Sequence, residues 1–408
     1  LSILRRLPLS RLLLLCGAVL IAGTSAAIAT ALGGGGPKPA PQPLAGAVHD
    51  ALSAPPVQGV SARITFTDSL ISTSSVQGSS PLISGAKGRL WASSDGRVRL
   101  ELQSNKGDLQ LVYDGQTISY LDSSKGTVYR FALPAHQGTA GAETGASASH
   151  GVPTVDQIQK FLTSLMTHAT VSGAVPDDVA GRPAYHVKVS PSHDGGLLGG
   201  AELWWDAVHG VPLRLAVYAT GRPDPVLELG VTSIHFGKVD SSVFSLPSAA
   251  KVVQVHAPAS HAAAGARTRS AHRGHGARQA SGARAVQAAL PFSLSAPATL
   301  DRLPRSQVRM LDWGGHPAAL VTYGQGLGGL AVVERQADGS AATSPAPGGQ
   351  PAGHDATVTL PTVAINGARG TELVTALGTV LQFQRGGVDY IVAGSVTGPD
   401  AEAAARGL

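Results

Sequence analysis

Apolar and polar residues alternate over much of the chain, the two-residue period of a half-buried strand. Val98, Leu100 and Leu102 face one way while Arg97, Arg99 and Glu101 face the other; Leu109, Leu111 and Tyr113 continue the apolar face. The same period predicts strands over Val60–Asp68, Leu82–Ala92, Arg97–Gln103, Thr117–Leu121 (after an Asp114-Gly115 turn) and Thr127–Leu133. Further on it predicts Ala184–Ser190, Gly200–Asp206, Pro212–Thr220 and Val226–Phe236. Two stretches follow a helical period instead. Leu44, Val48 and Leu52 recur every four residues until Pro55-Pro56 stops them. Val155, Ile158, Phe161, Leu162, Leu165 and Met166 form one stripe, opened by Thr154 and Gln157 at capping-box spacing. Residues 44–248 therefore read as an α+β unit, an antiparallel sheet with one covered and one wet face.

A second unit, 298–408, is richer in strands. They are expected at Ser306–Leu311, Ala318–Tyr323, Gly329–Arg335, Val358–Ile365, Glu372–Ala376, Val380–Arg385 and Val388–Ala393. A terminal helix follows, with Pro399 at its first position. Residues 134–151 and Asp338–Asp355 are small, polar and Gly/Pro-rich, and read as loops.

Between the units, 249–297 reads as a disordered basic linker. Ser241–Leu300 contains no Asp or Glu and carries Lys251, Arg267, Arg269, Arg273, Arg278 and Arg284. With Arg5, Arg6 and Arg11 at the N-terminus, this basic charge exceeds the chain's net +5, so the remainder is net acidic. The overall basicity thus does not make the folded units basic, and nucleic acid is not expected as a partner.

The N-terminus is read as a membrane address. Behind a basic flank at 1–11 runs an uncharged stretch, Leu12–Leu32. As a helix it spans about 31 Å, against a hydrocarbon core of about 30 Å. The basic flank is expected inside, sending the rest outside the cytoplasm as a single-pass membrane protein. Ala27-Ile28-Ala29 keeps a cleaved signal peptide, and hence a secreted protein, open. Residues 33–43, with four glycines and alternating prolines, read as a stalk.

Candidate chemistry is sparse. The single cysteine, Cys16, lies in the apolar run, which excludes disulfides and thiolate metal sites in the exported part. Gly324-x-Gly326-x-x-Gly329 spells the dinucleotide fingerprint, but the following LAVVER is β-branched and alternating, so a glycine-rich hairpin is expected. His256, His261, His272 and His275 have no carboxylate or thiolate among them to complete a metal site. Asp177-Asp178 after Pro176 reads as a solvated turn. Trp204-Trp205-Asp206 is the most unusual local cluster; adjacent strand residues point to opposite faces, so one Trp is expected in the core and one outside. No G-x-S-x-G, H-E-x-x-H or P-loop is present. The expectation is a non-enzymatic protein with no metal and no cofactor.

AELWWDAVHGVPLRL (Ala201–Leu215) and VTSIHFGKVDSSVFSLPSAAKV (Val231–Val252), with the hairpins GRLWASSDGRVRLEL and DLQLVYDGQTISYLD, resemble a LolA/RseB-type domain. The likeness is closest to membrane-anchored, LolA-like proteins of high-GC Gram-positive bacteria. VAINGARG and VLQFQRGGVDYIVAGSVTGPDAEAAARGL resemble an uncharacterised β-rich domain of bacterial exported proteins. The first resemblance implies a strongly curved antiparallel sheet, an unclosed barrel, with helices on its concave face. It also implies a binder of acyl chains of lipids or lipoproteins. The arginine that locks the helix lid in the LolA family is not assigned to any position of this sequence. Val98, Leu100, Leu102, Leu109, Leu111, Phe161, Leu165, Leu203, Trp205, Leu213 and Leu215 are the residues expected to line or underlie such a pocket. An RseB-like regulator with a membrane partner protein and an unrecognised hydrolase are the alternative readings.

Overall fold

The computed structural model describes residues 36–71, 85–105, 107–122, 126–132, 152–246, 251–255, 280–313, 316–337 and 360–408. They divide into two units. The first comprises 36–69, 85–193 and 199–255; the second comprises 280–408 with the short segments 70–71 and 194–198.

The first unit opens with helix α1 (Leu44–Ser53). An antiparallel meander follows: β1 (Gly59–Asp68), β2 (Ala86–Ser93), β3 (Val98–Ser104), β4 (Gly107–Tyr113), β5 (Thr117–Asp122) and β6 (Thr127–Ala132). Helix α2 (Val155–Leu165) leads into β7 (Ala169–Val171), β8 (Val175–Val179), β9 (Arg182–Pro191), β10 (Leu198–Asp206), β11 (Pro212–Ala219), β12 (Pro225–Phe236) and β13 (Lys251–Val255). Across the sheet the order is β13-β6-β5-β4-β3-β2-β1-β12-β11-β10-β9-β7, with β8 on β9, and the whole is a strongly curled, open half-barrel. Among the described strands only β13 runs parallel to its neighbour, β6. β1 pairs with β12 along its length, with one irregularity beside Arg63 and Ile64 that adds twist.

The two helices lie on the concave side, over β7–β11. α2 begins with the expected capping box: Gln157 N–H donates to Thr154 Oγ1 and Thr154 N–H donates to Gln157 Oε1. Its Ile158 and Leu162 pack on Ala45 and on the Leu44, Val48 and Leu52 row of α1. Leu44 and Leu52 of that row also touch the sheet cluster, so the row sits between the second helix and the sheet. The fully buried contacts with the sheet are the small Ala47 and Ala51, which let the helix sit close.

The second unit is an eight-stranded antiparallel sheet of β14 (Thr299–Leu300), β15 (Leu303–Trp313), β16 (His316–Tyr323), β17 (Leu330–Gln336), β18 (Thr362–Ile365), β19 (Ala368–Thr375), β20 (Gly378–Arg385) and β21 (Val388–Gly394). Its order is β14-β15-β16-β17-β21-β20-β19-β18. Val286 of α3 (Ala283–Ala289) and Ala404 and Ala405 of α4 (Gly398–Gly407) pack into one core with Val321, Val332, Leu381 and Val392.

Several expectations change. Within the stretch read as a linker, Lys251–Val255 is a strand and Ala283–Ala289 a helix with Val286 fully buried. In the helix a single buried side chain, Val286, suffices among alanines; 256–279, including the four histidines, lies outside the described residues. The end of the expected stalk lies along the first unit: Gln42 bridges to Ala174, and Tyr185 Oη donates to Ala40 O at 2.6 Å. Val175–Val179 is a strand, so Asp177-Asp178 is not a turn. The Gly324–Gly329 run is a hairpin connection between β16 and β17, with Gly324 and Gly326 in the left-handed region at φ 75° and 61°. Leu12–Leu32 lies outside the described residues, among which no helix is long and apolar enough to cross a membrane.

Candidate functional site

Cross-strand register turns the alternation of the first unit into a grid on the concave face. One row runs Ile234, Ala62, Leu90, Leu100, Leu111, Tyr120 across β12, β1, β2, β3, β4 and β5. The next runs Val231, Ile64, Gly88, Leu102, Leu109. A third runs Phe236, Val60, Ala92, Val98, Tyr113, Ile118. The floor of the grid is closed: Ile64, Leu102 and Leu109 are buried. Its outer squares are half-buried, among them Leu90, Val98, Leu100, Leu111, Tyr120, Val231 and Ile234.

The nine strand residues expected at a pocket all fall on this concave face, in two neighbourhoods. Val98, Leu100, Leu102 and Leu109 belong to the grid core, and Leu111 is the cross-strand partner of Leu100. Leu203 and Trp205, with Leu165 of α2 and Leu215, pack beneath the helices with Tyr185, Val187 and Ala51. Leu213, 2% exposed, is closed into the sheet between them. Trp205 is 1% exposed and tilts against Tyr185 at 5.9 Å. That second neighbourhood is a packed core. Phe161 departs from the expectation: it is 61% exposed, because Ile158 and Leu162 take the centre of the helix contact and leave the flank of the stripe to solvent. Val155 and Met166 are exposed on the same helix.

The Trp-Trp-Asp cluster is structural on both faces. Trp204 points outward but is covered: His186 stacks on it at 4.2 Å and 7°, Arg214 lies 4.5 Å over its ring, and its Nε1 donates to Asp177 Oδ2 at 2.8 Å. Beside it, Glu202 takes Lys188 at 2.9 Å, and Tyr218 Oη donates to it at 3.1 Å. Burial pushes the Glu202 carboxyl up, but His186 and Lys188 outweigh that and hold it down at about 2. Asp206 is fully buried and locks the β10–β11 turn, accepting from Val208 N, His209 N and Arg182 Nε at 3.0, 2.7 and 2.8 Å. Burial raises its carboxyl too; the Arg182 and His209 donors win and lower it. His209 Nδ1 stands 2.9 Å from Asp206, yet its ring is stacked on Phe236 at 4.0 Å, so the pair is a turn lock. Sequence reasoning missed these roles for His186, Arg182 and His209; the stacks depend on register, which alternation alone leaves open.

In the second unit Glu334 is fully buried, with Ser295 N–H donating to Oε2 at 2.8 Å. Burial pushes its carboxyl up to about 7 despite that bond. Among the described residues, no three His, Cys, Asp or Glu side chains are grouped to hold a metal ion.

No family model matches the chain, and no curated protein matches it. Several solved structures are similar. The MucA/MucB complex of Pseudomonas aeruginosa matches at 18% identity over 89% of this chain and 94% of that one, with a TM-score of 0.38. An uncharacterized conserved protein of Thermus thermophilus matches at 11% over 52% and 97%, with a TM-score of 0.31. A LolA superfamily protein of Nitrosomonas europaea matches at 9% over 50% and 99%, with a TM-score of 0.20.

Proposed function

We propose that the first unit is a non-enzymatic, extracytoplasmic, LolA-like module that binds acyl chains of lipids or lipoproteins on its concave face. The observation that supports this reading is the half-buried apolar grid around Leu90, Leu100, Leu111 and Tyr120, on the arm of the sheet away from the α1–α2 pair. An apolar surface left part-exposed forgoes burial free energy that a closed core would have taken. A ligand of methylenes recovers it at about 0.8 kcal/mol per buried CH2. A dozen such groups supply about 10 kcal/mol before ordering costs, of the order that micromolar binding requires. The test is native mass spectrometry of the purified protein before and after solvent extraction, followed by titration with a fluorescent fatty acid. Co-purified lipid and saturable uptake are expected.

A second reading, an RseB-like regulator acting on a membrane partner protein, is favoured by the exposed Val155, Phe161 and Met166 on α2. It predicts a co-purifying membrane protein and no lipid.

A further inference from the structure

The convex face of β1–β3 carries three neighbouring cations, of which Arg89 is paired with Glu101 and lies 5.0 Å over the Trp91 ring. Arg63 on β1 stands directly opposite Arg89 on β2, and Lys87 is two residues along the same strand, opposite Thr65. Like charges directly opposite in a sheet are destabilising. Among the described residues Glu101 on β3 is the one carboxylate lining the same depression, and both its oxygens are taken: Oε2 by Arg89 at 2.9 Å and Oε1 by Arg99 at 2.7 Å. Arg99 is itself tied down by the carbonyls of Val243 and Ser245. Arg63 and Lys87 have no anionic partner among the described residues, and both are exposed.

These cations border a depression of about 210 Å³ lined by Arg63, Lys87, Gly88, Arg89, Glu101 and Gln103. The twist introduced in β1 beside Arg63 and Ile64 falls at the same place.

We propose that this depression is an anion site for a phosphate ester. Three cations from two strands suit an anion that presents oxygens in more than two directions, as a tetrahedral phosphate does and a planar carboxylate does not. Arg63 and the free edge of Arg89 offer guanidinium forks, and Lys87 adds a point charge. Glu101 offsets the charge of Arg89, whereas Arg63 and Lys87 are left for an incoming anion, the kind of local exception that marks a functional site. The proposal is independent of acyl binding, because it uses the opposite face of the sheet. A lipid headgroup and a free phosphate compound share this chemistry.

The test is isothermal titration of the full chain with sn-glycerol 3-phosphate and with inorganic phosphate. It is run beside co-sedimentation with phosphatidylglycerol vesicles and with phosphatidylcholine vesicles. The double variant Arg63→Gln/Lys87→Gln is compared with wild type and with Arg222→Gln, a surface control. Wild type and the control are expected to bind the soluble phosphates, and the double variant at least tenfold more weakly. A parallel loss on phosphatidylglycerol but not phosphatidylcholine identifies a lipid headgroup; loss confined to the soluble phosphates identifies a free phosphate compound. Absence of wild-type binding to either soluble phosphate, or binding by the double variant within twofold of wild type, overturns the proposal. The double variant should also melt no lower than wild type, since it relieves the Arg63–Arg89 repulsion; a clearly lower melting temperature overturns the premise.

Discussion

Trp204 lies flat against His186, ring centroids 4.2 Å apart and planes 7° from parallel, with Arg214 closing the other side of the indole. The most conspicuous aromatic cluster of the sequence is thereby consumed by the convex face of its own sheet. Replacing Trp204 by Phe keeps an aromatic ring but removes the indole donor to Asp177. The expected cost is about 1–2 kcal/mol, read from urea unfolding. Acyl uptake should not change, because the residue is on the wrong face for it.

Asp206→Ala should be far more damaging. It strips the buried acceptor from Arg182, Val208 and His209 at once. Removing one member of a buried charged network costs about 3 kcal/mol or more. The carboxyl is held below its ordinary value in the folded state, so its contribution is present at neutral pH. That contribution is lost only as the pH falls below the unfolded aspartate value of about 3.9. Acid unfolding of Asp206→Asn should therefore be less steep than that of wild type.

The second unit has the opposite pH dependence. Glu334 is pushed up to about 7 by burial, above its unfolded value of about 4.3. The folded state then holds the proton more tightly, and stability falls as the pH rises from about 4.3 to about 7. Glu334→Gln, which keeps the acceptor for Ser295 without the charge, should stabilise by up to ~3 kcal/mol at pH 8 and by little at pH 4. Thermal unfolding of the variant and wild type at the two pH values checks this.

Gly210→Ala tests how α1 is seated. Gly210 has φ 65°, and a Cβ would stand 2.2 Å from the Ala51 carbonyl oxygen at the end of α1. Backbone strain and overpacking together should cost at least ~2 kcal/mol, measured by urea unfolding.

Alternation made most strands of both sheets legible, because a sheet with one covered face writes its period into the chain, as Val98–Ser104 and Pro212–Ala219 do. The capping box at Thr154 was equally plain. What stayed hidden depends on residues whose meaning is set by a distant partner. Val175–Val179 looks like a turn until Asp177 is seen receiving the Trp204 indole. The alanine face of α1 looks bland until Ala47 and Ala51 are found on the sheet. For the candidate site, the sequence placed nine strand residues on one face but not the division between a packed core at Leu203 and Trp205 and a half-open grid at Leu100 and Leu111. That division follows from where the two helices rest, and no local period encodes it. The Arg63–Arg89 opposition was likewise invisible without register.

Whether the half-open grid takes acyl chains is tested most directly by fatty-acid uptake in a variant altered only there. Leu100 and Leu111 are cross-strand partners, both half-buried. Leu100→Gln/Leu111→Gln places two amides in the middle of the grid and leaves the packed core at Trp205 untouched. Titration with a fluorescent fatty acid should show saturable binding by wild type and at least tenfold weaker binding by the variant, with far-UV spectra alike. Uptake by the variant equal to that of wild type, or no uptake by wild type that has been stripped of lipid, would contradict acyl binding at the grid.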